Sequence, residues 1–452
     1  MANPQVIIIP EIKDLLKREQ WNELQDVLKE LHEADIAEII KALEHDDEKI
    51  NVFTHLDDDK AVGVFEHIEG DDRSLILPVL PRREQKNILN EMSPDERADF
   101  FDEITTEEVQ QYTSMLNKEA KEEAKLLASY PSDSAGGIMT TDFVTLSEDM
   151  TVAQALKRIR EDASEAEQIY SLFVVNKQDK LVGMVTLKEI ILANPNRKIG
   201  KMMEHKVMSV NAESDQEEVA KMFKKYDLHT LPVVDQYGTL IGIITFDDII
   251  DVIGEEDTED IYRFGGVKET ELTYFQTSAP KWARQRITWL LLLVVTGFVS
   301  GFILERYEEA LTTVVMLAFF IPVLMDSGGN AGTQSATVIV RGLATGEITM
   351  GQALKVLRKE ILIALIVGVA LAILTALRAV IMHSDYALAA AVAIAMLATI
   401  TVAKIAGAML PMLFKKLGFD PAIMSGPFIT TIVDIFALIL YFELARLFLG
   451  IA

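Results

Sequence analysis

The chain has 452 residues, half of them hydrophobic, no cysteine and a formal net charge of −26. Without cysteine there is no disulfide framework and no thiolate metal ligand. So acidic a surface excludes nucleic acid as a partner and suits cations. The charge is unevenly spread: residues 1–130 carry 32 acidic and 15 basic side chains, residues 131–262 carry 25 and 13, and residues 263–452 carry 12 and 15. An acidic, water-soluble first part followed by an apolar last part is the profile of a membrane protein with a large soluble domain. The opening MANPQVIIIP has no charged n-region, and its apolar run is too short for a signal peptide. The soluble part is therefore expected in the cytosol.

Residues 1–130 form the first predicted domain, an acidic α-helical one with helices throughout 11–128. Three 13-residue units recur: LHEADIAEIIKAL (31–43), LDDDKAVGVFEHI (56–68) and MSPDERADFFDEI (92–104). In each, acidic residues cluster where a helix starts, favoured by the dipole there, and apolar residues follow at helical spacing. Helix pairs stacked in this way make a small superhelical solenoid.

Residues 131–256 contain an internal repeat. IMTTDFVTLSEDMTVAQALKRI (138–159) aligns with MMEHKVMSVNAESDQEEVAKMF (202–223), and LFVVNKQDKLVGMVTLKEII (172–191) with LPVVDQYGTLIGIITFDDII (231–250). Each unit reads helix, strand, turn, strand, helix, with the turns at Asp179 and Gly238. Gly183 and Gly242 occupy equivalent places. The pair, about 138–197 and 200–256, resembles tandem CBS domains of α/β fold, a regulatory module that often binds adenine nucleotides or ions.

A connecting helix is expected over 257–282, and an all-α membrane domain over 283–452. Five segments are apolar enough to span, roughly 287–304, 312–340, 361–381, 387–413 and 423–445, since about 20 apolar residues cross ~30 Å. Nine Lys and Arg residues (Lys281, Arg284, Arg286, Arg341, Lys355, Arg358, Lys359, Lys415, Lys416) fall on one side, against Arg306, Arg378 and Arg446 on the other. That bias puts the N-terminus in the cytoplasm and the C-terminus outside, in a multi-pass protein of the cell (inner or plasma) membrane. Polar residues inside spans are costly and face the bundle interior or a water path. Here they are Asp326, Asn330, Gln334, Lys404 and Asp434. A structural role for them is a helix–helix hydrogen bond or a salt bridge of Lys404 with one of the aspartates. An ion path is favoured by Pro322 with Gly328, Gly329 and Gly332, which are expected to break the second span and free backbone carbonyls.

The order of acidic helical array, paired CBS repeats, connector and five spans, with PVLMDSGGNAGTQ in span two and TTIVD in span five, resembles the MgtE family of magnesium channels over essentially the full length. The resemblance implies a homodimer in membrane lipid with one central pore lined by spans two and five. It implies that Asp434 holds a hydrated Mg²⁺, with Asn330, Gly328, Gly329 and Thr431 around it. It implies regulatory Mg²⁺ sites at Asp215 and Glu217, Asp227, Asp248 and Asp251, and Glu256 and Glu259, with Asp95 and Asp99 as the array's contribution. Tyr170 is the candidate adenine-stacking position should ATP bind the CBS pair.

The chemistry agrees with that implication. Mg²⁺ prefers octahedral oxygen ligands and sheds water reluctantly, so a pore should hold the hydrated ion through a few oxygens and release it. No His, Cys or Met cluster accompanies Asp434, which argues against a dedicated transition-metal site. Crowded carboxylates near the connector would be held together by cytosolic Mg²⁺ and would separate without it, a negative feedback on import. The alternative is an ion-coupled secondary transporter of Mg²⁺, Mn²⁺ or Co²⁺, for which broken helices and a relay of Asp326, Asp434 and Lys404 would serve. No nucleophile–base pair, phosphate loop or hydrolase spacing points to an enzyme.

Overall fold

A computed structural model describes residues 4–68, 70–164, 166–268, 274, 277–423 and 426–450. It divides into two units, 1–256 and 257–452.

Unit 1 begins with ten α-helices among its described residues: α1 (Pro4–Lys17), α2 (Trp21–Glu30), α3 (Glu33–Ala42), α4 (Asp46–Thr54), α5 (Asp58–His67), α6 (Asp71–Ile76), α7 (Arg82–Glu91), α8 (Pro94–Glu103), α9 (Thr106–Thr113) and α10 (Lys118–Leu127). Asp and Glu do open many of them, as in α4 (Asp46, Asp47, Glu48) and α8 (Asp95, Glu96), where the unpaired N–H groups favour negative charge. Their apolar faces share one core that includes Ile12, Leu24, Leu28, Ile36, Phe53, Phe65 and Phe100. Phe65 meets Phe53 and Phe100 edge-on, with centroids 6.1 and 5.7 Å away. Two buried arginines tie the helices together. Arg73 Nη2 donates to Glu96 (2.7 Å) and to the Glu66 carbonyl, and Arg97 Nη1 donates to Glu123 (3.0 Å).

The repeat follows as β1 (Phe143–Ser147), α11 (Val152–Asp162), β2 (Gln168–Val175), β3 (Leu181–Thr186) and α12 (Leu187–Leu192), then β4 (Val210–Asn211), α13 (Gln216–Tyr226), β5 (Thr230–Val234), β6 (Leu240–Thr245) and α14 (Phe246–Phe264). Each half has a three-stranded mixed sheet, β1-β2-β3 and β4-β5-β6, whose first pair is parallel and second antiparallel. The first strand of each half is an addition to the pattern expected from the sequence. β4 is two residues long, too short for alternation to register, whereas β1 is five long and does alternate in burial. The turns stand where expected, with Asp179 at φ 55° and Gly238 at φ 80°. Gly183 and Gly242 are placed by close packing: a Cβ on Gly183 would lie 2.5 Å from Met203 Sδ, and one on Gly242 2.5 Å from Met139 Sδ. The halves interlock reciprocally. The segment before β1 bridges β6 (Thr140–Ile243), and the segment before β4 bridges β3 (Glu204–Met184).

The expected connecting helix does not run from 257 to 282. α14 carries on from the last CBS strand and closes at Gly265 and Gly266, the latter at φ 67°, a backbone conformation that suits glycine. Residues 269–273 and 275–276 of the expected helix lie outside the described residues.

Unit 2 contains α15 (Ala279–Arg306), α16 (Glu308–Thr313), a 3₁₀ stretch (Val315–Phe319), α17 (Ile321–Ala344), α18 (Ala353–His383), α19 (Tyr386–Lys416) and α20 (Gly426–Leu449). Five helical segments are long and apolar enough to cross a membrane. The second is not broken at its glycines: α17 is continuous from Ile321 to Ala344, with Pro322 in its first turn, where no N–H is missed. The irregular part lies before it, in the 3₁₀ stretch. The glycines serve contact. A Cβ on Gly328 would sit 2.7 Å from Thr399 Cγ2, and one on Gly329 3.0 Å from Thr430 Cγ2. Small residues let helices approach closely where lipid supplies no hydrophobic drive.

Candidate ion path and acidic cluster

α17 presents Asp326, Asn330, Gln334 and Thr337 on its exposed face, at spacings of four, four and three residues that place them in one stripe. Asn330 Nδ2 donates to Asp326 Oδ1 at 3.0 Å, which leaves the amide oxygen of Asn330 as an acceptor. Asp434, half-buried in α20, has Asp326 as its charged neighbour. Four polar groups on the outer face of an apolar helix cannot face hydrocarbon cheaply. They need water, an ion or another polar surface.

The other residues expected around the ion are engaged otherwise. Thr430 and Thr431 both donate to the Pro427 carbonyl (2.8 and 2.9 Å). The Gly329 carbonyl accepts from Thr333 Oγ1 (3.0 Å). Gly328 and Gly329 are buried against neighbouring helices, so their freed carbonyls, expected as ligands, are absent. Lys404 does not pair with an aspartate. Its Nζ donates to Ser335 Oγ at 3.2 Å, and Ser335 Oγ donates to Glu360 Oε2 at 2.7 Å. Glu360 escapes sequence reasoning because it ends the charged run Arg358–Lys359–Glu360, which reads as loop.

In unit 1, α8 and the start of α14 bring carboxylates together. Burial pushes Asp95 well above the usual carboxylate range, helped by Asp248, Glu96 and Glu167, and its buried Oδ1 has no hydrogen-bond partner. Asp99 reaches solvent on one side, yet loss of hydration and then Glu96 push it up to about 7, against Arg73. Glu167 is pushed up to about 7 by burial, then by Asp248 and Asp247. Asp248 is raised by burial although it accepts from Thr245 N (3.1 Å) and Oγ1 (2.5 Å). Glu167 and Glu96 carry no signal in the sequence, because only tertiary folding sets α8 and the residue just before β2 beside α14. Among the described residues, no three acidic or histidine side chains converge as a ready-made metal cage. The cluster is a concentration of like charge.

The remaining expected regulatory residues fall in separate places. Asp215 caps α13, accepting from Glu217 N at 2.8 Å, and Glu217 pairs with Lys221. Gln216 donates to Glu256 at 2.7 Å, so Glu256 lies at the same end. Asp227 closes α13 at its other end with φ 50°, an eleven-residue helix away, about 16 Å. Those groups cannot share one ion. Asp251 lies on α14, one turn beyond Asp247. In unit 2, Glu259 pairs with Arg263, which also reaches Asp420 at 2.6 Å. Tyr170 is an exposed ring on β2.

Five spans, a polar stripe facing outward from one of them and an intramembrane carboxylate beside it define a multi-pass membrane protein that handles cations. Comparisons with known proteins narrow the class. Residues 321–444 match a family described as divalent cation transporter, residues 31–133 the MgtE intracellular N domain, and residues 135–196 and 199–255 CBS domains. The magnesium transporter MgtE of Thermus thermophilus is 35% identical over 402 residues, covering 83% of this chain and 89% of that one. That of Bacillus subtilis is 35% identical over 361 residues, 80% of each. Among solved structures, the cytosolic domain of the Mg²⁺ channel MgtE in complex with ATP superposes with a TM-score of 0.52 at 34% identity, over 54% of this chain and 99% of that one. The soluble part of a magnesium transporter gives 0.51 at 30% identity, over 56% and 99%. The chain belongs to the MgtE family of magnesium transporters. It is an ion transporter, not an enzyme, and Mg²⁺ is its cargo.

Proposed function

We propose that the chain imports Mg²⁺ through a pore on the axis of a homodimer, and that cytosolic Mg²⁺ closes it. The polar stripe Asp326–Asn330–Gln334–Thr337 beside Asp434 carries this reading. Two copies set stripe to stripe would enclose a water-filled path in place of lipid. Asp434 from each copy would face one hydrated ion, and the Asn330 amide oxygens would bond its waters. Two carboxylates favour a dication over K⁺ without stripping the hydration shell. The sparse positive charge around α16 and the α18–α19 turn, against Lys281, Arg284, Lys355 and Lys359 on the other side, favours a cytoplasmic unit 1 and an external C-terminus.

Closure would use the acidic cluster. Like charges a few ångströms apart repel by about 1 kcal/mol in water and several times that when half-buried. Asp95, Asp99 and Asp248 with Asp251 would be drawn together by one or more Mg²⁺. Asp215, Glu217 and Glu256 form a second candidate group and Asp227 a third. Glu259 would bind an ion only by releasing Arg263. ATP would bind the CBS pair with its base on Tyr170; the ATP-bound cytosolic domain of the related channel motivates this assignment.

The deciding measurement is Mg²⁺ current through reconstituted protein at micromolar and millimolar internal Mg²⁺. Currents that fall steeply as internal Mg²⁺ rises support feedback, and currents indifferent to it refute feedback.

A further inference from the structure

Three side chains buried between the spans take no part in the path described above. Ser335 on α17, Glu360 on α18 and Lys404 on α19 are 3, 7 and 5% exposed. They form one chain of hydrogen bonds, Lys404 Nζ to Ser335 Oγ (3.2 Å) and Ser335 Oγ to Glu360 Oε2 (2.7 Å). We propose that this bridge is a positioning device: it fixes the rotation of α17 about its own axis and thereby aims Asn330 and Asp326 into the ion path. The proposal rests on the reading that the polar face of α17 lines that path.

The geometry argues for rotation in particular. Ser335 is five residues from Asn330 and nine from Asp326, which puts it on the opposite side of α17 from both. The polar face points outward, and its side-chain bonds, Asn330 to Asp326 and Thr337 to the Thr333 carbonyl, stay within α17, whereas the back of the helix is pinned to two neighbours through the Ser335 hydroxyl. Gly332 lies one turn before Ser335 and meets Gly407, one turn after Lys404, backbone to backbone. That contact brings the two helices close enough for the short Ser335 side chain to reach Lys404. Turning α17 by ~20° would carry side-chain atoms ~5–6 Å from its axis about 2 Å sideways. It would also withdraw Ser335 from both partners and leave an amine and a carboxyl buried without their link. A buried polar network restricts a helix to one orientation more sharply than apolar packing does, because packing tolerates small slides and hydrogen bonds do not. The glutamate on the same chain of hydrogen bonds also offsets the positive charge of Lys404, which would otherwise oppose a cation path.

The test uses the full chain in proteoliposomes, with influx of Mg²⁺ and of Co²⁺ measured separately. Ser335→Ala removes one oxygen from a helix and leaves its backbone unchanged. The Glu360→Gln/Lys404→Met pair removes both charges together, and size exclusion and thermal midpoint in detergent check that it folds. A positioning role predicts a Mg²⁺/Co²⁺ influx ratio altered about tenfold or more in Ser335→Ala, about 1.4 kcal/mol of discrimination between the two ions, whatever the midpoint loses. A purely structural role lowers the midpoint or the yield and leaves the ratio of the surviving protein as in the parent; that result overturns the proposal. Asn330→Ala measured alongside separates the two readings. If it alters the ratio while Ser335→Ala does not, the bridge fails and the pore assignment stands. If neither alters it, both fail.

Discussion

Gly407 of α19 lies against the Gly332 carbonyl of α17, with no room between them for even a methyl group. This contact, with that of Gly328 against Thr399, sets how near α19 comes to the helix that carries the polar stripe. Gly407→Val should therefore overpack the interface by ~1–3 kcal/mol or more. The expected outcome is a lower yield and a thermal midpoint several degrees down in detergent. A variant as stable as the parent would mean the helices can separate without cost.

Asp434→Asn keeps the shape of the side chain and removes its charge. Mg²⁺ uptake into cells lacking other importers should fall at least about tenfold, because the path loses the carboxylate that discriminates by charge. Normal rescue of growth would place the ion elsewhere. Gly328 and Gly329 are packed away from the exposed face, so their substitutions should act on stability before selectivity.

The acidic cluster makes a pH prediction whose sign follows from the direction of the shifts. Asp99 and Glu167 sit at about 7 in the folded unit, above their ordinary values near 4. The folded arrangement thus holds protons that the separated chain releases. Its stability is full below about pH 4 and is lost progressively as pH rises toward 7. In chelator, protease protection of the contact between α8 and α14 should be stronger at pH 5.5 than at pH 8. Saturating Mg²⁺ should abolish the difference by replacing protons with metal. Equal protection at both pH values without metal would show that these carboxylates do not oppose the closed arrangement.

Asp95→Asn removes a carboxylate whose Oδ1 lacks a partner in the folded unit. It relieves repulsion from Asp248 and deletes a metal ligand at once. Flux should consequently depend less steeply on internal Mg²⁺ than in the parent. A steeper dependence would assign Asp95 a role other than a repelling carboxylate neutralised by metal.

Much of this architecture is legible in the sequence for specific physical reasons. Five apolar stretches have to be spans, and duplication leaves Gly183 and Gly242 at matched places in two halves. Asp434 stands out because a carboxylate in the middle of an apolar span is too costly to keep unless it meets water, an ion or a polar partner. The misreadings share a cause. Glycines permit both a bend and a close approach, and composition cannot say which; in α17 they are close approaches. Glu360 is hidden by its charged neighbours Arg358 and Lys359, although the helix carries it inward. Glu96 and Glu167 join the cluster only because folding sets distant segments side by side, and no spacing rule encodes that.

The crossed bridges between the CBS halves, Thr140 with Ile243 and Glu204 with Met184, have a mechanical consequence. Each half completes its sheet with a stretch of chain that belongs to the other, so neither is a finished object alone. Cutting the chain near residue 198 would leave two pieces with raw sheet edges instead of two small domains. A ligand seated in one half is therefore expected to stiffen the other as well.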